Sequence, residues 1–149
     1  LSYTHDWGHF VGEFNTPDDD TNGEQEIEFI HFLDEDQASE EDISRVILVG
    51  GGGSRAYYED SEVLELAKKY STDKKIVAAI CAAPGILAHA GLLEGKKAIS
   101  TEDDRPLLES KGAKLVQEDV VVDGNIITAN GPPASKAFGE AIAKKLKEK

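Results

Sequence analysis

Residues 76–85 constrain the chain more than any other stretch. Ile76-Val77-Ala78-Ala79-Ile80 is a short unbroken apolar run with β-branched residues. Such a run has the pattern of a strand buried on both faces of a parallel sheet. It stops at Cys81, the only cysteine, and passes through Ala82 and Ala83 to Pro84. Proline suits the first turn of a helix, where its missing N–H leaves nothing unpaired. Strand, sharp turn and helix, with a nucleophile-capable side chain in the turn, is the layout of a nucleophile elbow. Ala79, Ala82 and Ala83 are small enough for so tight a turn. The following helix N-terminus favours a thiolate. A buried structural cysteine fits the local sequence as well, because a free cysteine packs as a small hydrophobe.

The rest of the chain supplies a setting for that turn. Arg45 to Val49 reads as a second buried strand and runs into Gly50-Gly51-Gly52-Gly53-Ser54. Glycines there permit close backbone approach of a ligand, and no Walker lysine follows. Asp60 to Tyr70 reads as a helix capped by Asp60, with Val63, Leu66, Ala67 and Tyr70 on one face. A helix over 84–90 ends at Gly91 and is followed by a turn, Leu92-Leu93-Glu94-Gly95. His89 is expected to cap or cover that helix and to do no chemistry. Lys97 to Ser100 reads as a short strand and Asp104 to Ser110 as a short helix closed by Gly112. Val120–Val122 and Ile126–Thr128 flank a tight Asp123-Gly124-Asn125 turn, a hairpin signature. Pro132 and Pro133 open a last helix that turns Phe138, Ala141, Ile142 and Leu146 inward.

Strands alternating with helices predict an α/β fold with a mostly parallel sheet. Ligands bind outside the carboxyl ends of such strands. Three features fall at such ends: Gly50–Gly53, Cys81, and the Thr128–Pro132 segment. Their convergence favours the reactive reading of Cys81.

The 149 residues suffice for a real core, and 40% hydrophobic with 30% charged residues describe a soluble globular chain. No apolar run approaches a membrane span and no signal-peptide pattern opens the chain, so no membrane partner is expected. One cysteine excludes an internal disulfide framework and fits a cytoplasmic setting. The net charge of −13 is uneven. Residues 1–45 carry 14 acidic side chains and one basic one, Arg45, whereas residues 46–149 carry 15 of each. Neither part has the basic footprint of a nucleic-acid-binding protein. The chain contains no methionine, so Leu1 is not expected to be the translation start, and residues are expected to precede it.

Residues 1–42 form an atypical acidic segment. His9 to Asn15 and Glu26 to Leu33 alternate apolar and polar residues, which predicts two strands in a β-hairpin packed on the domain or swapped between subunits. Asp18, Asp20 and Asn22 with Gly23 resemble the front of a calcium loop. The twelfth position is Phe29 rather than glutamate and no helices flank the motif, so an acidic hairpin turn is the preferred reading. His5 and His9 do not read as a helical pair that would share a metal. No metal or other cofactor is expected.

Five motifs in order resemble the ThiJ/PfpI superfamily, which includes intracellular protease/amidase-like, glyoxalase-like and deglycase-like proteins. They are Val46–Gly51, Ala78–Pro84, Ala90–Ala98, Val120–Asn125 and Ile127–Pro132, within residues 43–146. The resemblance implies a flavodoxin-like three-layer sandwich of the class I glutamine amidotransferase-like kind over 43–149, and a homodimer or larger assembly. It implies Cys81 as the elbow nucleophile and Gly50, Gly51 and the Ala82 amide as an oxyanion or anion site. Gly131 and Pro132 would border the pocket. The family's glutamate beside the cysteine has no recognisable counterpart in residues 1–40. Where some members place a histidine after the cysteine, this chain has Ala82. Where others place one further on, it has Ser100-Thr101-Glu102. Glu13, Glu102, His5 and His9 are the remaining acid–base candidates.

Three functions follow from this reading. The leading one is a cysteine-dependent enzyme acting on small carbonyl or acyl compounds. The second is a redox-sensing or chaperone-like stress protein with an oxidisable Cys81. The third is a homologue that keeps the fold without the chemistry.

Overall fold

Apolar runs become strands, and what lies between them decides which strands are neighbours. The computed structural model describes the backbone of residues 3–5, 8–11, 28–29 and 31–33, and residues 45–72 and 75–148 in full. The elements in chain order are β1 (Tyr3–His5), β2 (Gly8–Val11), β3 (Glu28–Phe29), β4 (His31–Leu33), β5 (Arg45–Val49), α1 (Ser61–Tyr70), β6 (Ile76–Ile80) and α2 (Pro84–His89). They continue with β7 (Lys97–Ala98), α3 (Arg105–Ser110), β8 (Lys114–Leu115), β9 (Val120–Asp123), β10 (Ile126–Ala129) and α4 (Ser135–Lys147). Three 3₁₀ turns, Gly52–Tyr57, Glu102–Asp104 and Pro132–Ala134, complete the set.

The central sheet runs β3-β5-β6-β10-β9. β5, β6 and β10 are parallel, with Val46 and Ile126 both opposite Val77. β9 and β3 add antiparallel edges. The two-residue Gly124-Asn125 link between Asp123 and Ile126 requires positive φ, and Gly124 supplies +65°. Every residue of β6 and β10 is buried. Period-two alternation then splits β6 between two cores. Val77 and Ala79 pack with Leu48, Val63, Ala67 and Ile86 on one face. Ile76, Ala78 and Ile80 pack with Ile127, Phe138 and Ile142 on the other. The result is the expected three-layer α/β sandwich with a mostly parallel sheet.

Local chemistry sets the helix ends. The Asp60 carboxylate accepts hydrogen bonds from the Glu62 and Val63 amides at 3.0 and 3.2 Å, capping α1. Val63, Ala67 and Tyr70 form its buried stripe, with Leu66 partly buried beside them. Phe138 and Ile142 anchor α4, flanked by the half-buried Ala141 and Leu146.

Several expectations shift in detail. The strand expected over 97–100 is two residues long and pairs in parallel with β8, which no apolar pattern marked. The last helix starts at Ser135, and Pro132 and Pro133 lie in the preceding 3₁₀ turn. The 26–33 run divides: β3 joins the central sheet, whereas β4 pairs with β2 in a separate β1-β2-β4 sheet. Segment 1–42 therefore contributes one strand to the domain's sheet. Glu13, Asp18, Asp20 and Asn22 lie outside the described residues.

Candidate active site

Three parallel strands end side by side, and the loops leaving them meet. β5 delivers Gly50 and Gly51, β6 delivers Cys81 and Ala82, and β10 delivers Gly131 and Pro132. Cys81 has φ +66°, and among the described residues it is the only non-glycine with positive φ. Such a conformation is disfavoured for an L-residue by roughly 1–2 kcal/mol and persists only where its surroundings enforce it. The enforcing bonds are visible. The Cys81 amide donates to the Ala129 carbonyl at 3.0 Å, and the Cys81 carbonyl accepts from the Thr101 amide at 2.8 Å. The Ala83 amide donates back to Ile80 at 3.2 Å and the Gly85 amide to Ala82 at 3.0 Å. The thiol-bearing residue is half-buried, its sulfur unbonded to any described side chain.

Small residues allow this crowding. A Cβ on Gly50 would fall 2.4 Å from the Ala83 nitrogen, so only glycine lets the two loops approach. The glycine run after it folds as a 3₁₀ turn rather than an open loop. Ser54, fully buried, donates through both its amide and its hydroxyl to the Gly51 carbonyl, at 3.1 and 2.7 Å. Among the described residues, the N–H groups of Gly51 and Ala82 donate to no main-chain oxygen. Main-chain N–H groups without a main-chain acceptor are the kind of donor an oxyanion site uses. Gly131 is buried and its carbonyl accepts from Ala134 at 2.9 Å, while Pro132 is exposed. Asn130 ties this segment to Asp119 through both its amide and its side chain, at 3.0 and 2.8 Å.

A second set of residues, missed in the sequence, surrounds the turn. Arg55 makes a bidentate pair with Asp104, both contacts at 3.0 Å, and Asp104 is only 5% exposed. That hydrogen bond raises the Arg55 pKa. The pair joins the loop after β5 to the 99–104 segment, whose Thr101 holds Cys81. Tyr58, also buried, donates its hydroxyl to the Ala82 carbonyl at 2.8 Å. Burial first, and then the nearby Asp104 charge, push the Tyr58 phenol well above its ordinary value. Tyr58 therefore remains a donor. The available signals were Tyr57-Tyr58 after the glycines and Asp103-Asp104 after the short strand, neither tied to a motif.

Glu102 lies in the 3₁₀ turn next to Thr101 and is exposed; it makes no bond to Cys81. His5 and His9 fall on the backbone of β1 and β2, with Thr4 opposite His9. Among the described residues no cluster of three or more histidine, cysteine, aspartate or glutamate side chains could hold a metal, and no helix is long and apolar enough to cross a membrane. A groove of about 290 Å³ along β9 and α4, lined by Val120, Val122, Ala141 and Lys144, includes none of the residues gathered at the strand ends.

A half-buried cysteine in a left-handed turn between strand and helix, at the carboxyl edge of a parallel sheet, has the backbone layout of a nucleophile elbow in an α/β fold. Comparison with known sequences narrows the class: the chain belongs to the DJ-1/PfpI family, which it matches over residues 20–145. It is 37% identical over 111 residues to protein dj-1beta of Drosophila melanogaster, covering 74% of this chain and 59% of that one. It is 31% identical over 112 residues to deglycase PfpI of Pyrococcus furiosus, covering 75% and 68%. The crystal structure of a ThiJ/PfpI domain protein from Brachyspira murdochii superposes with a TM-score of 0.71 at 32% identity, over 76% of this chain and 66% of that one. The chain thus spans about half to two thirds of the length of the curated relatives it matches here.

Proposed function

We propose that the chain is a cysteine-dependent enzyme acting on small carbonyl compounds, with Cys81 as nucleophile. The thiolate adds to the carbonyl carbon, forming a C–S bond while the C=O π pair moves onto oxygen. The resulting oxyanion sits against the N–H groups of Gly51 and Ala82, and protonation gives a hemithioacetal. The observation that carries this reading is the φ of +66° at Cys81, held by bonds to Ala129 and Thr101. A cysteine that only packed would have no need of so disfavoured a conformation. The similarity to deglycase PfpI supports the same substrate class.

Methylglyoxal turnover by the wild type and by Cys81→Ser tests the reading. Turnover in the wild type that vanishes in the variant is expected. Turnover that survives the substitution overturns the assignment. Selective oxidation of Cys81 by limiting peroxide, with no turnover of any dicarbonyl, replaces it with a redox-sensing role.

The proposal extends to assembly as a homodimer or larger homo-oligomer. Support comes from the family and from aromatics carried by the first third of the chain, among them Trp7, Phe10, Phe14, Phe29 and Phe32. Sedimentation at micromolar concentration is expected to show a species of at least twice the 16.1 kDa chain mass. A 16.1 kDa species alone at all concentrations rejects this assembly.

A further inference from the structure

The turn that presents Cys81 is fixed at two successive peptides by donors from outside it. A trans peptide is planar, so its C=O and N–H point in opposite directions. The Thr101 amide holds the Cys81 carbonyl at 2.8 Å and thereby sets the direction of the Ala82 N–H, the proposed oxyanion donor. The next carbonyl, that of Ala82, accepts both the Gly85 amide at 3.0 Å and the Tyr58 hydroxyl at 2.8 Å. With the peptides on both sides of Ala82 pinned, its φ and ψ have little freedom, and neither has the orientation of its N–H.

Independent features of the fold are shaped around the Tyr58 contact. Gly85 stands where a Cβ would lie 2.3 Å from both Cζ and the hydroxyl oxygen of Tyr58. The glycine therefore admits the ring. The Arg55–Asp104 pair lies beside Tyr58 and anchors the 3₁₀ turn that precedes it to the segment carrying Thr101. The ring also rests against His89, with centroids 5.0 Å apart. Nothing in the addition step itself uses Tyr58, since its hydroxyl is spent on a main-chain carbonyl.

We propose that Tyr58 is a positioning residue for the Cys81 site, its hydroxyl locking the Ala82 peptide so that the oxyanion donor and the thiol keep one geometry. The proposal rests on the reading of Cys81 as nucleophile given above. A site held this way loses transition-state contacts when the lock is removed, while ground-state substrate binding is little affected. Removing an oxyanion donor outright typically lowers kcat by about 10²–10³, and loosening one through its support is expected to lower it by about tenfold.

The test uses Tyr58→Phe, which keeps the ring against Gly85 and His89 and removes only the hydroxyl. The expected result is a kcat for methylglyoxal about tenfold lower, with KM changed less than about twofold. Gly85→Ala keeps the hydroxyl but displaces the ring, and is expected to reproduce the loss if it folds. Thermal unfolding of each variant separates loss of geometry from loss of folded protein. Wild-type kcat in Tyr58→Phe, or a loss proportional to the unfolded fraction, overturns the proposal. If the wild type shows no Cys81-dependent turnover, the functional reading fails by itself. Positioning is then read from the iodoacetamide rate at Cys81 in folded protein, where a severalfold change upholds it and an unchanged rate overturns it.

Discussion

At the scale of single residues, His89 is unusual among the described polar groups, because its Nε2 is buried with no hydrogen-bond partner. The helix α2 carries it to the edge of the Tyr58 ring, where burial, and then the Lys111 charge, lower its pKa; Glu59 opposes them. The sign follows from linkage. The folded state binds the proton less readily than the unfolded chain, whose imidazole titrates near 6.5. The contribution to stability is thus complete above about pH 6.5 and declines as pH falls through the unfolded value toward the lowered folded one. Replacing His89 with Gln removes this dependence. Urea midpoints at pH 7.5 and 5.5 are expected to fall further apart for the wild type than for His89→Gln, and equal pH dependence in the two would contradict the assignment. The sequence reading has His89 cap or cover the middle helix and do no chemistry, and the structure places its ring against Tyr58. The ring contact itself was not legible, because residues 58 and 89 belong to different motifs and only the fold joins them.

At the scale of elements, legibility follows the length and regularity of each pattern. The five-residue strands β5 and β6, the ten-residue α1 and the hairpin β9–β10 read directly from apolar runs, the Asp60 cap and the Asp-Gly-Asn turn. The two-residue β8 has no period to detect, and its pairing with β7 is set by tertiary contact. The glycines after β5 are read in the sequence only as permitting close approach of a ligand, and the 3₁₀ helix they form, with Ser54 donating to Gly51, has no pattern there to mark it. The positions of Cys81, Gly50, Gly51 and Ala82 were legible because strand ends carry them. The Arg55–Asp104 clasp was not, since its members are 49 residues apart. Two substitutions test how these elements are held. Asp60→Ala removes two bonds to the start of α1 and is expected to destabilise by about 1 kcal/mol in denaturant unfolding. Gly50→Ala forces a Cβ onto the Ala83 main chain and is expected to lose about 3 kcal/mol along with Cys81 reactivity. An unchanged iodoacetamide rate in folded Gly50→Ala would show that the loop and elbow do not depend on their close approach.

At the scale of the whole molecule, the two parts of the chain divide the chemistry between them. The domain over 45–148 carries Cys81, the proposed nucleophile, and two proposed oxyanion donors, with all its net charge cancelled. The first 45 residues hold the entire excess of 13 negative charges. Addition of a thiolate to a carbonyl still needs a group that accepts and returns protons, a service worth about 10²–10⁴ in rate. Among the described residues none fills that role beside Cys81. Glu102 is exposed and unbonded to it, Asp104 is committed to Arg55, and His89 faces Tyr58. Within the domain no group is left for the role, so the acidic first third or a neighbouring copy is expected to supply it, and Glu13, His5 and His9 are the candidates read there from the sequence. Glu102→Gln is expected to leave methylglyoxal turnover within about twofold. Glu13→Gln is expected to lower kcat by about 10²–10⁴ and to remove the acid limb of its pH profile. Each variant is to be measured beside Cys81→Ser, with folding checked by thermal unfolding. A wild-type pH profile in Glu13→Gln would exclude that carboxylate. Loss of turnover in Glu102→Gln would instead mean that the 101–104 segment swings its exposed carboxylate inward when substrate binds.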